Sequence, residues 1–126
     1  MEKIDIAATA RTPHLSFDSD SGIFLLEGES YPEDTKKFYD APLSNVYTFL
    51  EVKDDAKGVF SFKLKYFNSS SAKVLMDLFL AIEESATKGN QFKIEWHYAA
   101  DDDNMQELGE EFAEELDKTD FVMVTF

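Results

Sequence analysis

Apolar residues recur along this chain with two different periods, and each stretch reads as strand or helix accordingly. From Gly58 to Tyr66 the even positions are Phe60, Phe62, Leu64 and Tyr66, with Ser61, Lys63 and Lys65 alternating between them. Residues 92–98 repeat the pattern, with Phe92, Ile94, Trp96 and Tyr98 set against Lys93, Glu95 and His97. Period-two alternation sends successive side chains to opposite faces, so both stretches predict strands with one greasy and one polar face. Helices on both faces of the sheet would instead require continuously apolar strands.

Between these strands, residues 69–88 place Leu75, Leu78, Phe79, Ile82 and Ala86 on one helical stripe. Gly89-Asn90 supplies the stop, and Lys88 suits the negative end of the helix dipole. Asp101-Asp102-Asp103 opens a further helix to about Leu116, with Met105, Leu108, Phe112 and Leu116 inward, and residues 121–126 close as a strand. Upstream, Ile4 to Thr9 reads as a short strand or an arm. Leu15 and Phe17, then Ile23 to Leu26, flank Asp18-Ser19-Asp20-Ser21-Gly22, the signature of a β-hairpin. Residues 28–33 are expected to leave the sheet. Ser30 or Asp34 then begins a helix ending near Val52, with Phe38, Tyr39, Leu43, Val46, Tyr47 and Leu50 at helical spacing. Pro42 is expected to break or kink it, because proline lacks an amide hydrogen and crowds the preceding turn.

The order is hairpin, helix, strand, helix, strand, helix, strand. Right-handed crossovers make the later strands parallel and put the helices on one side. The predicted fold is a two-layer α/β domain: a mixed sheet, N-terminal hairpin plus parallel strands, with helices mainly on one face. No linker, low-complexity tract or repeat interrupts the chain, so residues 1–126 read as one domain.

Composition narrows the function. Hydrophobic residues make up 44% of 126, with 12 Phe, enough for a core without metal or cross-link. Cysteine is absent, which removes disulfides, thiolate zinc sites and cysteine nucleophiles together. The N-terminus is charged too early for a signal peptide, and no window approaches the ~18 apolar residues of a membrane helix. A cytoplasmic protein without membrane insertion is the expectation. With 12 basic and 26 acidic residues, the net charge of -14 repels a phosphate backbone, so nucleic acid is not expected as a partner. The same charge could steer the protein towards a basic protein surface.

Catalytic chemistry finds little to work with. Only His14 and His97 are present as histidine bases, neither in a recognisable triad setting, and no GxGxxG, P-loop or HExxH motif occurs. Asp101 to Asp103, with Glu107 or Glu110, is the best metal candidate. Adjacent aspartates cannot converge on one ion from regular structure, however, and acids in a first helical turn already suit the dipole. The loop at residues 18–22 lacks the closing glutamate of a calcium loop. No metal, cofactor or enzymatic activity is expected.

What remains is Tyr66-Phe67-Asn68-Ser69-Ser70-Ser71-Ala72-Lys73, which passes from a strand end directly into a helix. Helix starts expose unpaired N–H groups that serine hydroxyls satisfy, so capping alone is a sufficient reading. One cap needs one hydroxyl, yet three stand here beside Asn68. In open α/β sheets the carboxyl ends of strands are where ligands and partners usually meet the fold. A phosphate on such a hydroxyl is also tolerated by the helix N-terminus.

Together with residues 28–33 (Gly-Glu-Ser-Tyr-Pro-Glu) and Glu95-Trp96-His97-Tyr98, this segment resembles the SiaC-like bacterial regulatory phosphoproteins, whose fold is similar to STAS domains. The resemblance covers essentially the whole chain. It implies reversible phosphorylation by a Ser/Thr kinase and a PP2C-type phosphatase. In one branch it implies an unphosphorylated form that binds and activates a diguanylate cyclase, feeding cyclic di-GMP and biofilm signalling. The family's acceptor follows the motif asparagine and is commonly threonine; here that position is Ser69, with Ser70 as the fallback. Tyr31, Pro32, Glu33, Asn68 and Ser70 are then the expected partner-binding neighbours. Residues 28–33 serve equally well as the turn that launches the first helix, and Tyr66, Phe67 and Trp96 as core. Two other classes stay open: a structural or oligomerisation module whose serines only cap, and a small metal-dependent enzyme using Asp101 to Asp103.

Overall fold

A computed structural model describes residues 3–52 and 54–126 and orders them as β1 (Lys3–Ile6), β2 (His14–Asp18), β3 (Ile23–Ser30), α1 (Thr35–Val52), β4 (Lys57–Phe67), α2 (Ser69–Thr87), β5 (Gln91–Tyr98), α3 (Asp103–Glu114) and β6 (Asp120–Thr125). Met1, Glu2 and Lys53 lie outside the described residues. The strands form one six-stranded sheet in the order β1-β2-β3-β4-β5-β6. β1, β2 and β3 pair antiparallel, and β3 to β6 pair parallel.

The inward set of each strand meets all three helices in one core. Phe24, Phe60, Phe62, Ile94 and Trp96 pack there with Leu43 and Val46 of α1, Leu78 and Phe79 of α2, and Phe112 of α3. The opposite face carries Ser61, Lys63, Lys93, Glu95 and His97, and among the described residues no helix packs over it. This is the two-layer mixed sheet expected from the alternation.

Three local expectations are corrected. The first concerns the exit from the sheet: β3 continues through Gly28 and Glu29 to Ser30 rather than turning away at Gly28. The helix after it starts from Asp34, whose carboxylate accepts the Lys37 N–H at 3.0 Å; Ser30 is buried in the strand end. The second concerns Pro42, which does not break α1: one helix runs through it from Thr35 to Val52. Proline deletes one bond of the helical ladder, but its ring is buried, and that burial offsets the loss.

The third correction concerns the period in β4. Gly28 pairs with Leu64 and Glu29 with Tyr66, so Lys65 is the extra residue of a bulge. Gly28 takes a φ of 122°, open to glycine and costly for other residues. Beyond the bulge the alternation inverts. Tyr66 is 51% exposed, and Phe67 turns inward against Trp96 and Phe112.

Two further contacts hold the β5–β6 half together. Trp96, 1% exposed, donates its indole N–H to the Met105 carbonyl at 3.0 Å, and α3 passes so close that only glycine fits at position 109. A Cβ there would sit 2.5 Å from Trp96 Cδ1 and 2.7 Å from Nε1. Glu83 of α2 holds the turn before β6. Its carboxylate accepts the N–H groups of Asp117, Lys118 and Thr119 and the Thr119 hydroxyl at 2.8–3.0 Å. Partial burial works to raise the Glu83 pKa, but these donors overcome it and hold the carboxyl below its ordinary value of 4.5.

Gly109→Ala is expected to destabilise the protein by about 1–3 kcal/mol through overpacking against the indole, read from denaturant unfolding. For Glu83 the folded pKa lies below the unfolded one. Its contribution is therefore full above about pH 4.5 and is lost as pH falls through the lower folded value. Glu83→Gln should reduce stability at neutral pH and flatten the acid limb of a Tm-versus-pH curve; an unchanged acid limb contradicts this.

Candidate functional site

The parallel pairing of β3 and β4 brings their carboxyl ends side by side. Ser30 lies in register with Phe67, and the Asn68 N–H donates to the Ser30 carbonyl at 3.0 Å. The segment after β3 and the start of α2 therefore form one surface. Asn68 stands just outside α2 with extended backbone (φ -85°, ψ 176°), and its side-chain oxygen accepts the Ser71 N–H at 2.9 Å. The helix cap is thus Asn68 and not a serine.

The three serines that follow have three different environments, because successive helical residues point about 100° apart. Ser71 faces the core and is 1% exposed. Its hydroxyl lies 2.7 Å from Ser30 Oγ and donates to the Ser30 carbonyl at 3.1 Å; Ser30 Oγ in turn lies 2.6 Å from the Tyr39 hydroxyl. Each hydroxyl has one proton, which fixes the direction: Tyr39 donates to Ser30, Ser30 to Ser71, and Ser71 to the Ser30 carbonyl. This buried chain ties α1, β3 and α2 together with every donor used. Burial pushes the Tyr39 hydroxyl up to about 12, against the hydrogen bonds to Ser30 and Ser71.

Ser70 is exposed but engaged, 2.6 Å from Thr35 Oγ1 and donating to Asn68 Oδ1 at 3.2 Å. Ser69 is exposed, and no described residue hydrogen-bonds its hydroxyl. Around it, Tyr31 is half-buried with its ring edge-on to exposed Tyr66 at 5.8 Å between centroids. The Tyr31 N–H donates to the Arg11 carbonyl, and the Arg11 guanidinium pairs with exposed Glu33 at 2.9 Å. Pro32 is buried, so it shapes the segment and presents little surface.

A groove of about 550 Å³ runs from Ser70 between α1 and α2. Its floor includes Tyr39, Leu43, Tyr47 and Val74, and its rims carry the ion pairs Lys36–Asp40 (3.1 Å) and Lys73–Asp77 (3.4 Å). Burial, and secondarily the Asp77 charge, raises the Tyr47 pKa.

Tyr31, Glu33, Asn68, Ser69 and Ser70, expected from the sequence to be neighbours, do share this end of the sheet. Sequence reasoning did not find Thr35, Tyr39 or Arg11 as parts of it, and it singled out Ser30 and Ser71 only within their segments, without their buried hydrogen bonds. Ser30 sits within the 28–33 motif, but its partners lie nine and 41 residues away and carry no local signal.

The rival chemistry lies elsewhere. Asp102 caps α3 by accepting the Met105 N–H at 3.0 Å, and Asp103 occupies the first turn. Among the described residues, no group of three or more His, Asp or Glu is placed to hold a metal ion. Both histidines lie on the open face of the sheet, His14 against Asp5 at 2.7 Å and His97 against Glu95 at 3.3 Å. Among the described residues, no helix is long and apolar enough to cross a membrane.

Comparison with known proteins gives concordant results. A family model described as "SiaC family regulatory phosphoprotein" matches residues 6–126. An uncharacterized protein of Pseudomonas aeruginosa (strain UCBPP-PA14) is 31% identical over 116 residues, covering 91% of this chain and 90% of that protein. The crystal structure of apo-SiaC from Pseudomonas aeruginosa superposes with a TM-score of 0.88 at 31% identity, over 98% of this chain and 99% of that one. A further similar chain is in the crystal structure of the diguanylate cyclase SiaD in complex with its activator SiaC, also from Pseudomonas aeruginosa. It has a TM-score of 0.91 and 28% identity over 98% and 99% of the two chains.

The hydroxyl chain makes an asymmetric prediction. Ser30→Ala removes the central hydroxyl, both the acceptor of the Tyr39 proton and the donor to Ser71, and should cost about 1–3 kcal/mol, whereas Tyr39→Phe leaves Ser30 bonded to Ser71 and should cost about 0.5–1.5 kcal/mol. Equal losses in urea unfolding would contradict the assigned direction.

Proposed function

The chain belongs to the SiaC family of regulatory phosphoproteins, and we propose that it is a non-enzymatic partner switch set by phosphate on Ser69. A Ser/Thr kinase adds the phosphate and a PP2C-type phosphatase removes it. The unphosphorylated form binds and activates a diguanylate cyclase. The observation that carries the choice of acceptor is the contrast among the serines. A kinase must reach a free hydroxyl: Ser69 is exposed and no described residue hydrogen-bonds its hydroxyl, Ser70 is tied to Thr35, and Ser71 is buried. Support for the partner class comes from a neighbouring structure, in which a related SiaC is bound to the cyclase that it activates.

Magnitudes decide how the switch acts. A phosphoserine carries about -1.5 to -2 charges at neutral pH. At the start of α2 the helix dipole favours it by only ~0.3–1 kcal/mol, so the fold is left in place. In an interface around Tyr31, Glu33, Asn68 and Ser70, the same dianion loses its water, and without a cationic partner across the interface this costs several kcal/mol. Each 1.4 kcal/mol is a tenfold change in affinity. The effect on binding exceeds the effect on folding, and phosphate acts by excluding the partner.

Mass spectrometry after treatment with the kinase and ATP should place one phosphate on Ser69, and Ser69→Ala should accept none. The phosphorylated protein should bind the cyclase at least ~100-fold more weakly, a difference of about 2.7 kcal/mol, with an unchanged circular dichroism spectrum. Equal affinity of the two forms rejects the switch. Full phosphorylation of Ser69→Ala rejects the acceptor and moves it to Ser70.

A further inference from the structure

β6 is the outermost strand of the sheet, and among the described residues none pairs with its far side. Sheet edges present unpaired N–H and C=O groups, and proteins commonly blunt them with charge, proline or a bulge. β1, the other edge, is blunted in this way: charged Lys3 and Asp5 alternate with its apolar positions. From residue 121 to 124, β6 reads Phe-Val-Met-Val, without charge, proline or glycine.

The orientation of its free groups follows from one bond. The Phe126 N–H donates to the Tyr98 carbonyl at 3.1 Å, so the backbone at Phe126 points towards β5. Backbone groups alternate in direction along a strand, so those of Val124 and Val122 also point to β5. Phe121, Met123 and Thr125 therefore turn both N–H and C=O outward. Their side chains do not block this edge, since Phe121 and Met123 pack inward against the core. Val122 and Val124 stand on the open face, half-buried and uncapped by any helix.

Charge chooses the occupant. α3, which packs over β5 and β6, carries Asp103, Glu107, Glu110, Glu111 and Glu114 and no basic residue. A second copy of this chain pairing through β6 would bring one such helix towards another, with -14 on each chain. We infer that the β6 edge accepts an extended, lysine- or arginine-bearing segment of a partner protein, added as a seventh strand beside Phe121, Met123 and Thr125. Main-chain hydrogen bonds supply the affinity of such pairing, and the acidic shelf of α3 selects basic side chains. This surface lies two strands from β4 and does not depend on phosphate at Ser69.

The test uses the full chain and a nine-residue peptide of alternating valine and lysine, acetylated and amidated, with a glutamate-for-lysine counterpart as control. The lysine peptide should slow amide exchange at Phe121, Met123 and Thr125 at least tenfold, and its affinity should fall as salt rises. Thr125→Pro removes one outward N–H without touching the β5 ladder; it should weaken binding at least tenfold with Tm unchanged. Ser69→Asp should bind the peptide as the unsubstituted protein does, which separates failure here from failure of the phosphate switch. The inference is overturned by equal binding of the glutamate peptide, or by no protection of the three amides. It is also overturned by undiminished binding to Thr125→Pro, or by self-association of the chain that protects the same amides without peptide.

Discussion

Each helix of this protein must return to the single apolar face of one sheet. The other face is mostly polar at its centre, with Ser61, Lys63, Glu95 and His97, and among the described residues no helix covers it. Because β3 to β6 run parallel, each connection leaves the carboxyl end of one strand and re-enters at the amino end of the next. Helix starts therefore gather at the carboxyl ends of the strands, where the helix dipoles present their positive ends. The neighbourhood of Ser69 follows from that constraint. The start of α2 meets the exit of β3, and the start of α1 meets both.

The junction is held by two devices that divide the labour of a short polar run. Asn68 closes the helix, and Ser71 with Ser30 and Tyr39 closes the space beneath it. Buried hydroxyls would cost stability if any were unpaired, and here each proton has an acceptor. With both duties taken by neighbours, the first serine is left without one. The freedom of its hydroxyl is thus a product of packing around it and not of its own type.

A bulge places the aromatic residues of this region. The extra residue at Lys65, set against Gly28 at φ 122°, inverts the alternation of β4 for its last two positions. Without it, Tyr66 would enter the core and Phe67 would face outward. With it, Tyr66 joins Tyr31 at the surface, and Phe67 completes the aromatic cluster of Trp96 and Phe112.

Much of the architecture was legible in the residues themselves. Two periodicities identified the long strands and α2, Asp and Gly marked the hairpin, and one-sided alternation set the two layers. Those features depend on contacts between near neighbours and on which face meets water, which a sequence records directly. The resemblance in the serine segment, the 28–33 segment and Glu95 to Tyr98 pointed to the family. What the sequence could not decide were matters of long-range register: that β3 runs on to Ser30, that Tyr66 and not Phe67 is exposed, that Asn68 caps α2. Nor could it distinguish the three serines. Identical side chains in a row differ only in what lies opposite each, and the opposing groups, Thr35, Tyr39 and Ser30, come from elements more than thirty residues away. Only the closed tertiary structure brings them together, and so only it separates the exposed hydroxyl from the engaged one and the buried one.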